Sequence, residues 1–337
     1  MSSFFSGPSG SSDSSSDSFD SSFDLLVIGD VNPDVVVGPV PRPLAFGQRE
    51  QLVEHAGLVL GGSAAIMACG AARLGLRVAF AGRVGADPAG AFVREALAAR
   101  GVDVGFLFTD PQLATPLTVV LTGEDGDRAI LTAPGCLAAT HAQDVPRELL
   151  AATRHVHAAS FFLMPRLAAA LSEVFARARA AGATTSLDTN DDPAGRWDRD
   201  LLDPVLKVTD FLLPNAAEAR ALAGEPHLAC AATSLAGRGP LVVVKDGGNG
   251  ALACDGERTL HTPAVPVEPV DTVGAGDSFD AGFVAATLRG LDLRSSLAFA
   301  AACGSLSTRG HGGTAAQPTW DEAGAAALPT PDTGSHA

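Results

Sequence analysis

Positive charge is scarce in this chain of 337 residues: Lys and Arg total 23 against 38 Asp and Glu, a formal net charge of −15. Sequence-independent binding to nucleic acid or anionic lipid needs the opposite balance, so neither is expected as a partner. No apolar run approaches the roughly 20 residues that cross a bilayer, and the basic-then-apolar order of a secretory signal is missing. The cytoplasm is the expected location. Five cysteines (Cys69, Cys136, Cys230, Cys254, Cys303) stand singly, without a C-x-x-C pair, which argues against a zinc site or a disulfide framework. Two glycine loops are also absent: G-x-G-x-x-G after the first apolar run, as nicotinamide dehydrogenases carry, and the G-x-x-x-x-G-K-[ST] of Walker ATPases. What remains is 46% apolar and 18% charged, ordinary globular usage. A folded chain with small molecules as partners is the expectation.

Residues 1–22 are mostly Ser and cannot bury enough apolar surface to offset the entropy of ordering, so they read as a disordered tail; 329–337 read as a second tail. Between them, 23–328 form one domain. Phe23 to Gly29 is a short apolar run ended by Gly-Asp, suited to a strand buried on both faces of a parallel sheet. Runs at 77–82, 155–160, 184–188, 211–214 and 241–245 alternate with Ala/Leu-rich helical stretches such as Leu167 to Ala181. That alternation is βαβ, a doubly wound α/β sheet. Two segments, about 34–60 and 115–134, lack a crossover helix. The second reads as a hairpin, 117–122 against 128–132, and together they predict a small antiparallel lid. Another hairpin turns at Asp255-Gly256.

The stretch Asp271-Thr272-Val273-Gly274-Ala275-Gly276-Asp277-Ser278-Phe279 carries the clearest chemistry. Small residues at 274–276 let backbone approach a ligand, and a helix starting there offers unpaired N–H groups and the positive end of its dipole. Asp277 could accept a proton from an attacking hydroxyl beside that anion hole, which suggests phosphoryl transfer. An acidic first turn with no chemistry is the plain alternative. The stretch resembles the C-terminal signature of the ribokinase-like (PfkB) carbohydrate kinases, D-T-x-G-A-G-D, and the resemblance extends over almost the whole chain after the tail. It implies a ribokinase-like, mostly parallel sheet flanked by helices with a small β-sheet lid, and ATP-dependent phosphorylation of a hydroxyl. By that similarity Asp277 is the general base, and Gly274, Ala275 and Gly276 form the anion hole. Asp271 and the carbonyl of Val273 match positions that hold K⁺ in potassium-activated members.

The stretch from Gly61-Gly62-Ser63 to Gly75 resembles the family's N-terminal signature beside the sugar, with Ile66 where Asn is usual. Asn32 and Asp34, after the first strand, match its substrate-binding residues; a carboxylate accepts two hydroxyl hydrogen bonds in fixed geometry. Asn215 and Glu218 resemble its N-x-x-E motif, placed to hold Mg²⁺ through water, although the same spacing serves as a capping box. Lys245, Gly247 and Gly250 match its nucleotide turn, with Ala301 where Asn often lies near adenine. Asp188-Thr189-Asn190 resembles a weaker D-x-N contact near the phosphates. His155 and His157 read as packing residues, one on each side of their strand. The resemblance implies ATP, Mg²⁺ and K⁺ as cofactors and a sugar of ribose, fructose or keto-deoxy acid type as acceptor. The alternatives are a nucleoside acceptor, and a sensor that kept the fold and lost catalysis. An open lid edge could pair with that of a second copy.

Overall fold

The computed structural model describes residues 22–123 and 127–327; the two expected tails, apart from Ser22, and the tip of the 123–127 turn lie outside them. Ten strands build the main sheet: β1 (Phe23–Ile28), β4 (Val78–Gly85), β5 (Val102–Asp103), β6 (Leu107–Asp110), β9 (Thr153–Ala158), β10 (Thr184–Leu187), β11 (Phe211–Leu212), β12 (Leu241–Lys245), β13 (Ala251–Cys254) and β14 (Thr259–Thr262). Their order is β14-β13-β12-β11-β10-β9-β1-β4-β5, with β6 also on β4. Pairing is parallel except for β12–β13 and β13–β14, the hairpin read at 255–256.

Alternate side chains of β1 enter two separate cores. Leu26 and Ile28 pack with Phe161, Phe175 and Leu202, whereas Leu25 and Val27 pack with Met67, Phe80 and Phe299. That is why β1 is apolar from Leu25 to Ile28: helices cover both faces. The helix Ala275–Leu288 is enclosed by its neighbours, buried from Asp277 to Ala286. Small residues let it sit close to its neighbours; a Cβ on Gly282 would fall 2.7 Å from the Cys303 sulfur.

The second sheet is the lid, in the order β3 (His55–Gly61), β2 (Asn32–Gly38), β7 (Leu117–Thr122), β8 (Arg128–Ala133). It is mixed rather than antiparallel as expected, because β2 and β7 run parallel. The chain passes through the main sheet between them, so β7 enters the lid in the same direction as β2. Two further features differ from expectation. The stretch expected as one helix, 167–181, divides into Pro165–Ala168 and Leu171–Ala180, and the short strands β5 and β6 had no alternation by which to be seen. Among the described residues no helix is long and apolar enough to cross a membrane.

Candidate active site

Strand order reverses around β1: the chain runs to β4 on one side and to β9 on the other. In open α/β sheets, ligands bind beyond the carboxyl ends of the strands at such a reversal. Asp30 after β1, Ser160 after β9, Asp188 and Asn190 after β10, Asn215 after β11 and Lys245 at the end of β12 all fall at that edge. Asp30 accepts hydrogen bonds from the backbone N–H groups of Ser63 and Ala64, both at 3.0 Å, and so caps the helix Ser63–Arg73. Gly62, at φ 93°, makes the turn into that helix and leaves no room for a side chain, since a Cβ would lie 2.7 Å from the Asp30 carbonyl oxygen.

Asp277 lies in the first turn of the helix Ala275–Leu288 and is buried. Ser63 Oγ donates to its Oδ1 at 2.5 Å. Its Oδ2 accepts no hydrogen bond among the described residues and is not sealed from solvent. Burial pushes the carboxyl up to about 7; the Ser63 hydrogen bond and the Lys245 charge work the other way, and Asp188 and Asp30 add to the rise. The turn before it depends on Gly274 at φ 72°, where a Cβ would meet Gly313 at 2.6 Å and Ile66 at 2.9 Å. Ile66 is therefore packing beneath this turn. Of the expected anion-hole amides, that of Ala275 turns back to the Thr272 carbonyl at 3.3 Å. Those of Gly276 and Asp277 have no acceptor among the described residues and point along the helix dipole.

This turn separates two cavities. One, of about 520 Å³, is bordered by Lys245, Gly247, Gly250, Gly276, Phe279 and Ala301; the other, of about 890 Å³ beneath the lid, by Asp34, Val59, Arg128, Asp271, Val273 and His311. Asn32 Nδ2 donates to Asp34 Oδ1 at 2.6 Å and to Thr118 Oγ1 at 3.1 Å. Burial raises Asp34 to about 6 despite the Asn32 contact. Gly61 backs directly onto that carboxylate, and a Cβ there would lie 2.1 Å from Oδ1.

Lys245 is largely buried among acids beside the Gly276 turn. Its Nζ donates to Asp188 Oδ2 at 2.6 Å and to Asp280 Oδ2 at 3.0 Å, and it lies 3.5 Å from where a Cβ on Gly276 would be. Burial opposes the ammonium, but Asp188 and Asp280 hold it protonated, well above the ordinary lysine range. Burial, with Asp188 beside it, raises Asp280 well above the usual carboxylate range, against the pull of the Lys245 charge. Burial acts on Asp188 too, yet Lys245 holds it below its ordinary value.

Asn215 and Glu218 form the capping box that their spacing allowed. Asn215 Oδ1 accepts from the Ala217 and Glu218 amides, and Glu218 accepts from the Asn215 amide and side chain. Burial, with Asp188 nearby, raises Glu218 to about 7. Three buried acids, Asp188, Asp280 and Glu218, thus surround one ammonium. Glu218 is the one of the three with no bond to the ammonium, and once ionised its carboxylate has the chemistry to accept from the water shell of a divalent cation. The carboxylate of Asp271 does not fit as a K⁺ ligand. Arg128 Nη2 donates to its Oδ1 at 2.6 Å, as does the Val273 amide at 2.9 Å, and the Gly312 amide donates to Oδ2 at 2.9 Å. A guanidinium already supplies the positive charge, and with the two amides it outweighs burial to hold Asp271 below its ordinary value.

His155 and His157 face the same side of β9, as a spacing of two requires. Both bond Ser186 Oγ, at 2.7 and 2.8 Å, and burial lowers them to about 3 and 4, so both are neutral packing groups. Among the described residues no cluster of three or more His, Cys, Asp or Glu is arranged to hold a metal ion. Several residues of the site went unassigned in the sequence. Asp280 had a signal, standing three residues after Asp277 on one helix face; Asp30, Ser63 and Arg128 had none, since their partners lie far along the chain.

A family model described as pfkB family carbohydrate kinase matches residues 22–320. An ATP-dependent ribose-1-phosphate kinase of Halopiger xanaduensis is 33% identical over 298 residues, 88% of this chain and 95% of that protein. A fructokinase of Klebsiella pneumoniae is 32% identical, covering 78% of this chain and 90% of its own length. Among solved structures, a candidate Ribokinase II from E. coli in complex with ATP and Mg²⁺ superposes with a TM-score of 0.80 at 26% identity, covering 90% of this chain and 98% of that one.

Proposed function

The chain belongs to the pfkB family of carbohydrate kinases, and on that footing we propose that it moves the γ-phosphoryl group of ATP onto a hydroxyl of a sugar, with Asp277 as proton acceptor. One observation supports this most: the turn 271–276 is a shared wall, with Thr272, Ala275 and Gly276 on the smaller cavity and Asp271 and Val273 on the lid cavity, and Asp277 follows directly in the first turn of the helix. ATP would occupy the smaller cavity, where Gly247 and Gly250 keep the turn after β12 slim against its triphosphate and Ala301 and Phe279 give an apolar wall. The acceptor would lie under the lid on Asn32, Asp34, Gly61 and Gly62.

The free Oδ2 of Asp277 takes the hydroxyl proton as the hydroxyl oxygen bonds to phosphorus and the bond to the ADP oxygen breaks. Unpaired amides of Gly276 and Asp277 and the ammonium of Lys245 face the charge that spreads over the phosphoryl oxygens. Mg²⁺, when bound, neutralises phosphate charge; Glu218 and Asn215, with Asp188 beside them, would hold its water shell. The lid keeps water from competing with the acceptor. A second copy of the chain, paired through the lid, is the proposed partner.

Incubation with MgATP and a panel of ribose, ribose 1-phosphate, fructose, a keto-deoxy sugar acid and a nucleoside tests the reading by ADP release. Release that depends on one sugar supports it. A nucleoside as the sole active acceptor replaces the sugar, and thermal stabilisation by a sugar with no ADP release identifies a sensor.

A further inference from the structure

Ser63 has its polarity dictated from behind. The Ser160 amide can only donate, and it donates to Asn190 Oδ1 at 2.7 Å, which turns the Asn190 NH₂ toward Ser63. Asn190 Nδ2 then donates to Ser63 Oγ at 2.7 Å. Accepting from Asn190, the Ser63 hydroxyl gives its own hydrogen to Asp277 Oδ1 at 2.5 Å, because an ionised carboxylate can only accept. The chain of hydrogen bonds therefore runs one way, from backbone to base. Its two links at the strand ends, Ser160 and Asn190, both adopt left-handed backbone, at φ 56° and 52°, a conformation that costs a non-glycine residue energy and gathers at functional sites. Asp30 ties the same helix start to the end of β1, accepting from the Ser63 and Ala64 amides.

From this geometry we infer that Ser63, oriented by Asn190, is a positioning residue for the base: it fixes one oxygen of Asp277 and leaves the other for the acceptor hydroxyl. The inference rests on the phosphotransfer reading above. A hydrogen bond given to the carboxylate favours its charged form, and the Ser63 contact does lower Asp277 against the effect of burial. The other charged groups facing Asp277 are Asp30 from the end of β1, Asp188 from beyond β10, Lys245 from β12 and Asp280 on its own helix. None of them is altered by removing a hydroxyl at 63.

The test is the pH profile of kcat/KM for Ser63→Ala, Ser63→Thr and Asn190→Gly, the last suited to the backbone at 190. Ser63→Ala keeps the amide that Asp30 caps. It should lose about 10-fold or more at neutral pH, with the acidic limb displaced upward by about one pH unit. Ser63→Thr should restore both rate and limb, and Asn190→Gly should move the limb the same way as Ser63→Ala. A purely structural role would lower the rate and leave the limb in place; that result, or failure of Thr to restore it, overturns the inference. In parallel, the Asp277 carboxyl is titrated by ¹³C NMR, assigned through Asp277→Asn, in wild type and Ser63→Ala. An unchanged midpoint also overturns it. If wild type phosphorylates nothing on the panel, the phosphotransfer reading is lost, and the titration alone decides whether Ser63 tunes this carboxylate.

Discussion

Asp277, Glu218 and Asp34 are raised by burial to about 7, 7 and 6. A carboxyl raised on folding binds its proton more tightly in the fold than in the unfolded chain. Its contribution to stability is present below about pH 4 and is lost as pH rises through the folded value. Asp188 and Asp271, held low, act in reverse and lose their contribution only in stronger acid. The Tm should therefore fall between pH 5 and pH 8, and Asp277→Asn should flatten that fall, raising Tm at pH 8 by about 2–4 °C; calorimetry at the two pH values measures it. Turnover needs the ionised base, so kcat/KM should climb through about pH 7, whereas a profile flat from pH 5.5 to 8.5 would place the base elsewhere.

Elements meet at Asp271, which joins the lid strand β8 through Arg128, the turn through the Val273 amide and the loop at Gly312. Arg128→Met should loosen the lid, raising KM for the acceptor severalfold and speeding hydrogen exchange in β7 and β8. Because Arg128 occupies the Asp271 carboxylate, replacing K⁺ by a bulky organic cation should leave the wild-type rate unchanged; a steep loss would mean that a cation binds there despite the guanidinium. Elements of this kind were unequally legible in the sequence. The buried strands could be read because both faces are apolar, and the hairpin 117–133 because its period is two. The parallel pairing of β2 with β7 could not, since it is set by the route of the chain through the main sheet. The anion-hole turn was legible from glycine spacing, but the Lys245–Asp188–Asp280 cluster and the Arg128 bridge are long-range pairings that leave no periodic trace.

For the whole molecule, the reversal of strand order around β1 gathers five strand ends and three helix starts into one site, and the lid covers its acceptor side. The outer lid strand exposes Ile130 and Leu131, at 65% and 61%, on an edge free to pair. Sedimentation should give a dimer and Ile130→Lys a monomer; a monomeric wild type at micromolar concentration would remove that partner. The central claim is tested most directly by Asp277→Asn, with ATP binding measured by calorimetry and ADP release followed with the best acceptor. The account predicts intact ATP binding with turnover reduced about 10²–10⁴-fold. Turnover within a few-fold of wild type would contradict it.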